Sequence, residues 1–429
     1  MRTEYSKRSL SMFIAASGTI IEWFDYSLFF YLAMSLSHTF YPEMDSSLLI
    51  VLGTGSVGFL FRPLGAVVFG HIGDAKGRTV SLVISAGLMS LSMLGIALMP
   101  GYDTIGIWGG VAVLLLRALA GFSVGAEYTG IMVYLMESAR PHRRALTASW
   151  AAANSEIGAL LAVGSSAITT SIVGSAALNT WAWRIPFICG AILAAIMLPL
   201  RKFMVESPAM HKKATEMRSE IVGKKEGPLT YVLRHQRRSM LVTFLISTVG
   251  SATYFLTITY LPTYIETVDS GDSQMALNYG IIAAVSAILV TPFFGLLSDL
   301  IGRRRSFTVL LVAVITLAIP GYSLLTSPNI LVLAGAVAVL AIPAAGWSAA
   351  AASAIPEQFP TQGRYSGMAI GYNLATVIFG GLTPPLVTWL IQSTGHVLAP
   401  AFYASAVAII AGIPAIILMG DTVKDQKRK

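Results

Sequence analysis

The stretches FGHIGDAKGRTV at residues 69–80 and FGLLSDLIGRRRSF at residues 294–307 decide the architecture. Asp74 and Asp299, Gly77 and Gly302, and Arg78 and Arg303 are all separated by one constant offset, so the chain carries two copies of one unit. Outward from the first copy, long apolar runs fall near 12–36, 47–71, 79–99, 105–135, 145–172 and 182–201 (spans 1 to 6). Around the second they fall near 239–265, 275–298, 306–326, 330–355, 364–392 and 398–419 (spans 7 to 12). A helix needs about 20 apolar residues to cross the hydrocarbon core, and each of these runs supplies them. The expected fold is an all-α polytopic membrane protein: twelve transmembrane helices in two pseudo-symmetric six-helix bundles, residues 1–201 and 239–429, joined by a polar linker at 202–238.

Composition agrees with this reading. Of the 429 residues 55% are hydrophobic and 12% charged, against roughly 25% charged in soluble domains, and the mean hydropathy is +0.70. One cysteine excludes a disulfide framework, and 39 glycines without a three-residue period exclude collagen. Cys189, inside span 6, is expected to pack. The first apolar run contains Glu22 and Asp25 and continues too far for a cleavable leader, so it reads as a span.

The net charge of +8 is explained by topology rather than by nucleic acid. All of the 29 Lys and Arg except Arg62, Arg117 and Arg184 fall in the tails, the linker or the loops on one side. The positive-inside rule then makes both termini cytoplasmic, in a multi-pass protein of a bacterial-type inner membrane. The linker is expected to lie against anionic headgroups.

The two loops resemble the signature between spans 2 and 3, and between 8 and 9, of the major facilitator superfamily. In the first copy Ala75 follows Asp74 and Lys76 comes one position late; in the second, Leu300 takes the usual basic slot. A narrower resemblance, to the metabolite:proton symporter family, rests on EWFDY from Glu22, FRPLG from Phe61, RALAGFSVGAEY from Arg117, WAWRIPF from Trp181 and FPTQGRYSGMAIGYNLATVIFGG from Phe359. PGYDTIGI, VGAEYTGIMVYLMES and IFGGLTPPLVTWLIQSTG look most like its citrate and tricarballylate branch. The resemblance implies a proton-coupled importer of a small organic carboxylate such as citrate, working by alternating access around a midplane site. The alternative is a symporter of a zwitterionic osmolyte such as proline or betaine, or of a larger citrate-containing chelate. Partners are then a small molecule, protons and the bilayer, with no cofactor, no metal, no nucleic acid and a monomeric carrier. Catalysis has no motif behind it: P-loop, HExxH and GxSxG are missing from the sequence and the six histidines are scattered.

Intramembrane ionisable residues are the first candidates for function. Glu22 and Asp25 lie about 60° apart on one helical face. Two like charges in low dielectric do not both ionise cheaply, so the pair is a candidate proton site, as are Glu127 and Glu156. Arg117 offers a bidentate fork for a substrate carboxylate, or a standing salt bridge to Glu127, Glu22 or Asp25. Tyr128 returns to the Arg117 face, and Asn154 neighbours Glu156. Thr253, Thr257, Tyr260 and Tyr264 are spaced as one polar stripe on span 7, fit either for cavity hydroxyls or for helix packing. Trp347, Tyr372 and Asn373 are further substrate candidates. Gating is expected of Arg62, and of clusters pairing Asp74 with Arg78, Glu137 with Arg140 and Arg143, Asp299 with Arg303, and Glu357 with Arg364.

Overall fold

The computed structural model describes residues 18–42, 44–76, 78–125, 127–202, 228–268, 272–360 and 363–420. Most of the linker lies outside them, as do the side chains of Asp74 and Arg78, so the pairing expected of those two lies outside the described residues.

The described residues are helical throughout, with no strand. Ten helical segments are long and apolar enough to cross a membrane, and Ser175–Ala182 with Arg184–Pro199, bent by 59°, makes an eleventh. Residues 18–31 with Ala33–Phe40 supply span 1. The order therefore matches the twelve runs read from the sequence, and the chain is a multi-pass, all-α membrane protein of two six-helix bundles.

Several spans are not single α-helices. Span 4 breaks between Ile107–Ser123 and Glu127–Ser138. Span 7, Arg237–Tyr254, ends in a π turn at Phe255–Thr259 and is followed by the short helix Leu261–Val268. Span 11 is split by another π turn at Val377–Gly381, and further ones lie at Leu178–Ala182 and Ala408–Gly412. Each π turn inserts a residue and rotates everything beyond it, a device concentrated at functional sites.

The signature loop of the second half turns on Gly302, which closes span 8 (Ser273–Ile301) and opens span 9 (Arg303–Leu324) at φ 92°. A side chain is strained in that region, so glycine is required there.

Packing within the first bundle depends on missing side chains. A Cβ on Gly121 of span 4 would stand 1.8 Å from the Gly58 carbonyl of span 2, and one on Gly65 would stand 1.8 Å from the Phe122 carbonyl. Lipid gives apolar helices no hydrophobic reason to associate, so such close backbone approach supplies the dispersion contact. Gly121→Val is expected to push spans 2 and 4 apart and cost about 1–3 kcal/mol or more, read as a lower unfolding midpoint in detergent. Cys189 is exposed on the outward face of span 6 rather than packed inside. Small residues already fill the inward side there; a Cβ on the adjacent Gly190 would come within 2.5 Å of Phe24.

Candidate functional site

Four of the charges expected within the spans form two buried ion pairs. Arg62 Nη1 lies 2.8 Å from Glu22 Oε1, and Arg117 Nη1 lies 2.6 Å from Asp25 Oδ2. The EWFDY spacing that puts both carboxylates on one face of span 1 thus meets one arginine from span 2 and one from span 4. Tyr26 sits between them: the Arg62 and Arg117 guanidinium carbons lie 4.9 and 5.0 Å from its ring centre. Phe59 and Phe29 cover the other arginine faces at 4.6 and 4.7 Å. Arginine survives burial of this kind because its planar cation stacks on rings while its edge binds a carboxylate.

A cavity of about 50 Å³ lies between the bundles, and neither arginine lines it. Its walls come from spans 1, 4, 5, 7, 10 and 11. Trp23, Tyr128, Tyr254 and Tyr372 form an aromatic enclosure: Trp23 meets Tyr254 edge-on at 5.0 Å and Tyr128 at 6.1 Å, and Tyr128 lies 5.4 Å from Tyr372. Glu156, fully buried on span 5 (Arg144–Val173), enters this enclosure with no counter-charge and no close hydrogen bond, the Tyr254 hydroxyl being the side-chain donor set toward it. Tyr31, Tyr128 and Tyr254 are the phenols within electrostatic reach of it. Two potential donors on the wall, Trp23 Nε1 and the Ser247 hydroxyl, lack a protein partner. Since about 10–15 Å³ suffices for one water, the cavity has room for a few waters. It is too small for any organic substrate, citrate or zwitterion, unless the bundles move apart.

The other candidates are placed as follows. Glu127 is half-buried in the first turn of the second piece of span 4, away from the cavity wall, and Asn154 also lies outside the lining. The span 7 stripe is used in packing. Thr253 and Thr257 donate to the carbonyls of Val249 and Thr253 at 2.7 and 2.9 Å, Tyr260 bonds Thr388 at 2.7 Å, and Tyr264 donates to the Val397 carbonyl at 3.0 Å. The π turn separates Tyr260 and Tyr264 from the first part of the stripe, and the cavity takes Ser247, Gly250, Ser251 and Tyr254 from the α-helical part of span 7. Trp347 is buried against Phe307 at 4.7 Å and donates to the Ile246 carbonyl at 2.8 Å, so its ring offers no face to the cavity. Asn373 is buried outside the lining, one residue past Tyr372.

Trp23, Ser247 and Tyr254 were not singled out by sequence. Trp23 stands between two carboxylates that draw attention first, and Tyr254 is one residue off the stripe. A polar or aromatic residue next to a stripe, ahead of a helix irregularity, is the signal that would have found it.

At the end carrying the basic loops, the bundles are latched. Asp299 accepts from the backbone amides of Ala145 and Leu146, at 3.0 and 2.9 Å, at the N-terminus of span 5. Arg303 holds Asp299 at 2.9 Å and Glu357 at 2.9 Å. Two expected pairings are exchanged: Glu137 bonds Arg364 of the opposite bundle at 2.5 Å, not Arg140 or Arg143, while Glu357 takes Arg303 instead of Arg364. Arg140 and Arg143 flank an exposed turn, whereas Arg364 starts span 11 and is also held by the Phe359 carbonyl. At the other end Thr263 donates to the Phe30 carbonyl at 2.9 Å and Ser56 to the Gly381 carbonyl, again across the bundles. Polar contacts therefore tie the two bundles together at both ends.

A carboxylate at a helix N-terminus contributes about 0.3–2 kcal/mol. Asp299→Asn is expected to open the basic end several-fold more often, read as faster alkylation of a cysteine placed at Ser348 on the cavity wall, in a chain whose Cys189 has been replaced by serine. At the far end, just beyond span 7, Glu266 is buried 2.5 Å from the Ser273 hydroxyl. Burial pushes its carboxyl up to about 7, a second titratable group well separated in sequence from the cavity-lining part of span 7.

Comparison with known proteins agrees with this architecture. The profile of the sugar (and other) transporter family matches residues 11–424. The proline/betaine transporter of Escherichia coli K12 is 34% identical over 421 residues, covering 96% of this chain and 82% of the relative. A glycine betaine/proline/ectoine/pipecolic acid transporter of Dickeya dadantii is 34% identical, covering 92% and 80%. The partially occluded inward-open xylose transporter of E. coli superposes with a TM-score of 0.71 at 19% identity, over 94% of this chain and 97% of that one. With its twelve-helix fold and a family match along nearly its whole length, the chain belongs to the sugar (and other) transporter family.

Proposed function

We propose that the protein is a proton-coupled symporter of a small zwitterionic osmolyte, of the glycine betaine or proline kind, working by alternating access in a bacterial-type inner membrane with both termini cytoplasmic. The observation that carries this reading is Glu156, a buried carboxylate without a counter-charge in an aromatic enclosure that no arginine enters. A di- or tricarboxylate needs cations at its site; here Arg117 is committed to Asp25. An ammonium or quaternary ammonium group, by contrast, is favoured over desolvated indole and phenol faces by about 2 kcal/mol. The names of the relatives support the zwitterion rather than citrate.

Within this reading Trp23 Nε1 and the Ser247 hydroxyl serve the substrate carboxylate, and the aromatic walls serve its cationic end. A proton on Glu156 makes the loaded cavity neutral, so the bundles close around it without burying net charge. In the empty carrier the deprotonated carboxylate takes hydrogen bonds from the surrounding phenols. The Glu22–Arg62 and Asp25–Arg117 pairs hold the first bundle rigid. Glu127, on the flank of span 4, is a less direct route for the proton.

The test is uptake of labelled glycine betaine, proline and citrate into proteoliposomes, with and without an inside-alkaline gradient. Gradient-stimulated uptake of a zwitterion with citrate inert is the expected result; citrate uptake with both zwitterions inert would overturn the reading.

A further inference from the structure

Resting on Glu156 as the proton site, we infer that the same cavity also takes small organic cations that carry no carboxylate, choline or tetramethylammonium in kind, and that such a cation occupies the place of the proton rather than travelling with it.

The inference follows from charge balance in a buried, low-dielectric space. Glu156 is 0% exposed and unpaired, and the enclosure brings no lysine, arginine or histidine. Closure with the carboxylate bare buries a net negative charge, which is costly. Two loads remove that charge. One is a proton on Glu156 together with a zwitterion, and the other is an ionised Glu156 together with a monovalent cation. The second load needs no further counter-ion and no donors for a substrate carboxylate, so the aromatic walls and Glu156 are sufficient for it. A small alkylammonium also asks less of the cavity than a zwitterion that has to reach Ser247.

The groups facing Glu156 do not offer a competing charge. Span 1 brings Tyr31, span 4 Tyr128 and span 7 Tyr254. The Glu22–Arg62 pair, behind Tyr128 and Tyr372, is internally neutral. Among the described residues, spans 8 and 10, which pack on span 5, carry their ionised groups at the basic end, Asp299 and Glu357, with Tyr279 toward the other end. Span 6 carries Arg184 at one end and Arg201 and Lys202 at the other.

The consequence is an opposite response to acid. Protonation of Glu156 prepares the site for a zwitterion and closes it to a cation. At zero membrane potential, external acidification is therefore expected to stimulate glycine betaine uptake and depress choline uptake by the same preparation of proteoliposomes.

The experiment measures both uptakes against external pH, together with choline binding by tryptophan fluorescence for the wild type, Glu156→Gln and Glu156→Asp. Expected are competition between choline and glycine betaine, opposite pH slopes, and a loss of choline affinity of at least about tenfold in Glu156→Gln. Glu156→Asp, which keeps the carboxylate, restores binding and controls for misfolding. Choline that neither binds nor competes while glycine betaine is transported overturns the inference and leaves the zwitterion reading standing. Choline uptake that rises with acid, or choline affinity equal in wild type and a monodisperse Glu156→Gln, also overturns it. Wild-type protein that binds choline through Glu156 but transports no zwitterion overturns the symport reading instead.

Discussion

Arg117→Ala is expected to cost about 3–5 kcal/mol of stability, because it leaves Asp25 charged, buried and unpaired. The residue is fully buried, 2.6 Å from Asp25 and stacked on Tyr26 and Phe29. Removing both charges together is a different matter, since replacing a buried pair by neutral groups of similar volume is often close to neutral. Arg117→Met combined with Asp25→Asn should therefore recover most of the monodisperse yield and unfolding midpoint that Arg117→Ala loses. An arginine that held substrate would behave otherwise: Arg117→Ala would fold normally and lose only uptake, and Asp25→Asn would rescue nothing. Unfolding midpoints of the single and double variants in detergent separate the two roles.

The second large effect is on coupling. Glu156→Gln keeps the shape of the cavity wall and removes its one ionisable carboxylate. Uptake of a zwitterion by this variant is expected to lose its acceleration by an inside-alkaline gradient. Exchange of labelled for unlabelled zwitterion, which needs no net proton movement, separates lost coupling from lost binding. Any pH response left in the variant then belongs to groups outside the cavity, with Glu266 first among them because burial already sets its carboxyl near 7. A full gradient response in Glu156→Gln would move the proton to the ion pairs of span 1 or to Glu127.

The sequence reading succeeded where hydrophobic length and local spacing carry the information. Twelve apolar runs and a repeated loop are properties of the chain itself, and they determine span order and the two-bundle fold. The structure also gathers Glu156, Tyr128 and Tyr372, each recognisable as a polar or aromatic residue inside a span, onto one cavity. Partner choice was less legible. Whether Arg117 meets substrate or Asp25 depends on how spans 1, 2 and 4 approach, and Gly58, Gly65 and Gly121 let the backbones of spans 2 and 4 touch. Of the two readings of the span 7 stripe the structure shows the packing one, for a local reason: a 3.6-residue period assumes an uninterrupted α-helix, and the π turn at Phe255–Thr259 precedes Tyr260 and Tyr264, which bond Thr388 and Val397. At the basic end Asp299 pairs with Arg303 as expected, and two other pairings change partner for a non-local reason. Charges close in sequence were paired with each other, but Arg364 reaches Glu137 from the opposite bundle.

That exchange gives the basic end its meaning for transport. Asp299 and Arg364 both act across the bundle interface, so the energy released when they latch is available only while that end is shut. In the proposed cycle, cargo that neutralises the cavity favours closure, and opening at either end breaks polar contacts together with apolar packing such as Phe30 and Phe59 against Phe255. Alternation between two such sets of contacts is the two-state element that transport requires.

The central claim is that cargo meets Glu156 and the aromatic enclosure rather than the arginines of the first bundle. A structure determined with glycine betaine bound tests it most directly. The expected result places the trimethylammonium group against Trp23, Tyr128 and Tyr254 beside Glu156, with Arg117 still on Asp25. Cargo whose carboxylate sits on Arg117 or Arg62, with either ion pair broken, would contradict it.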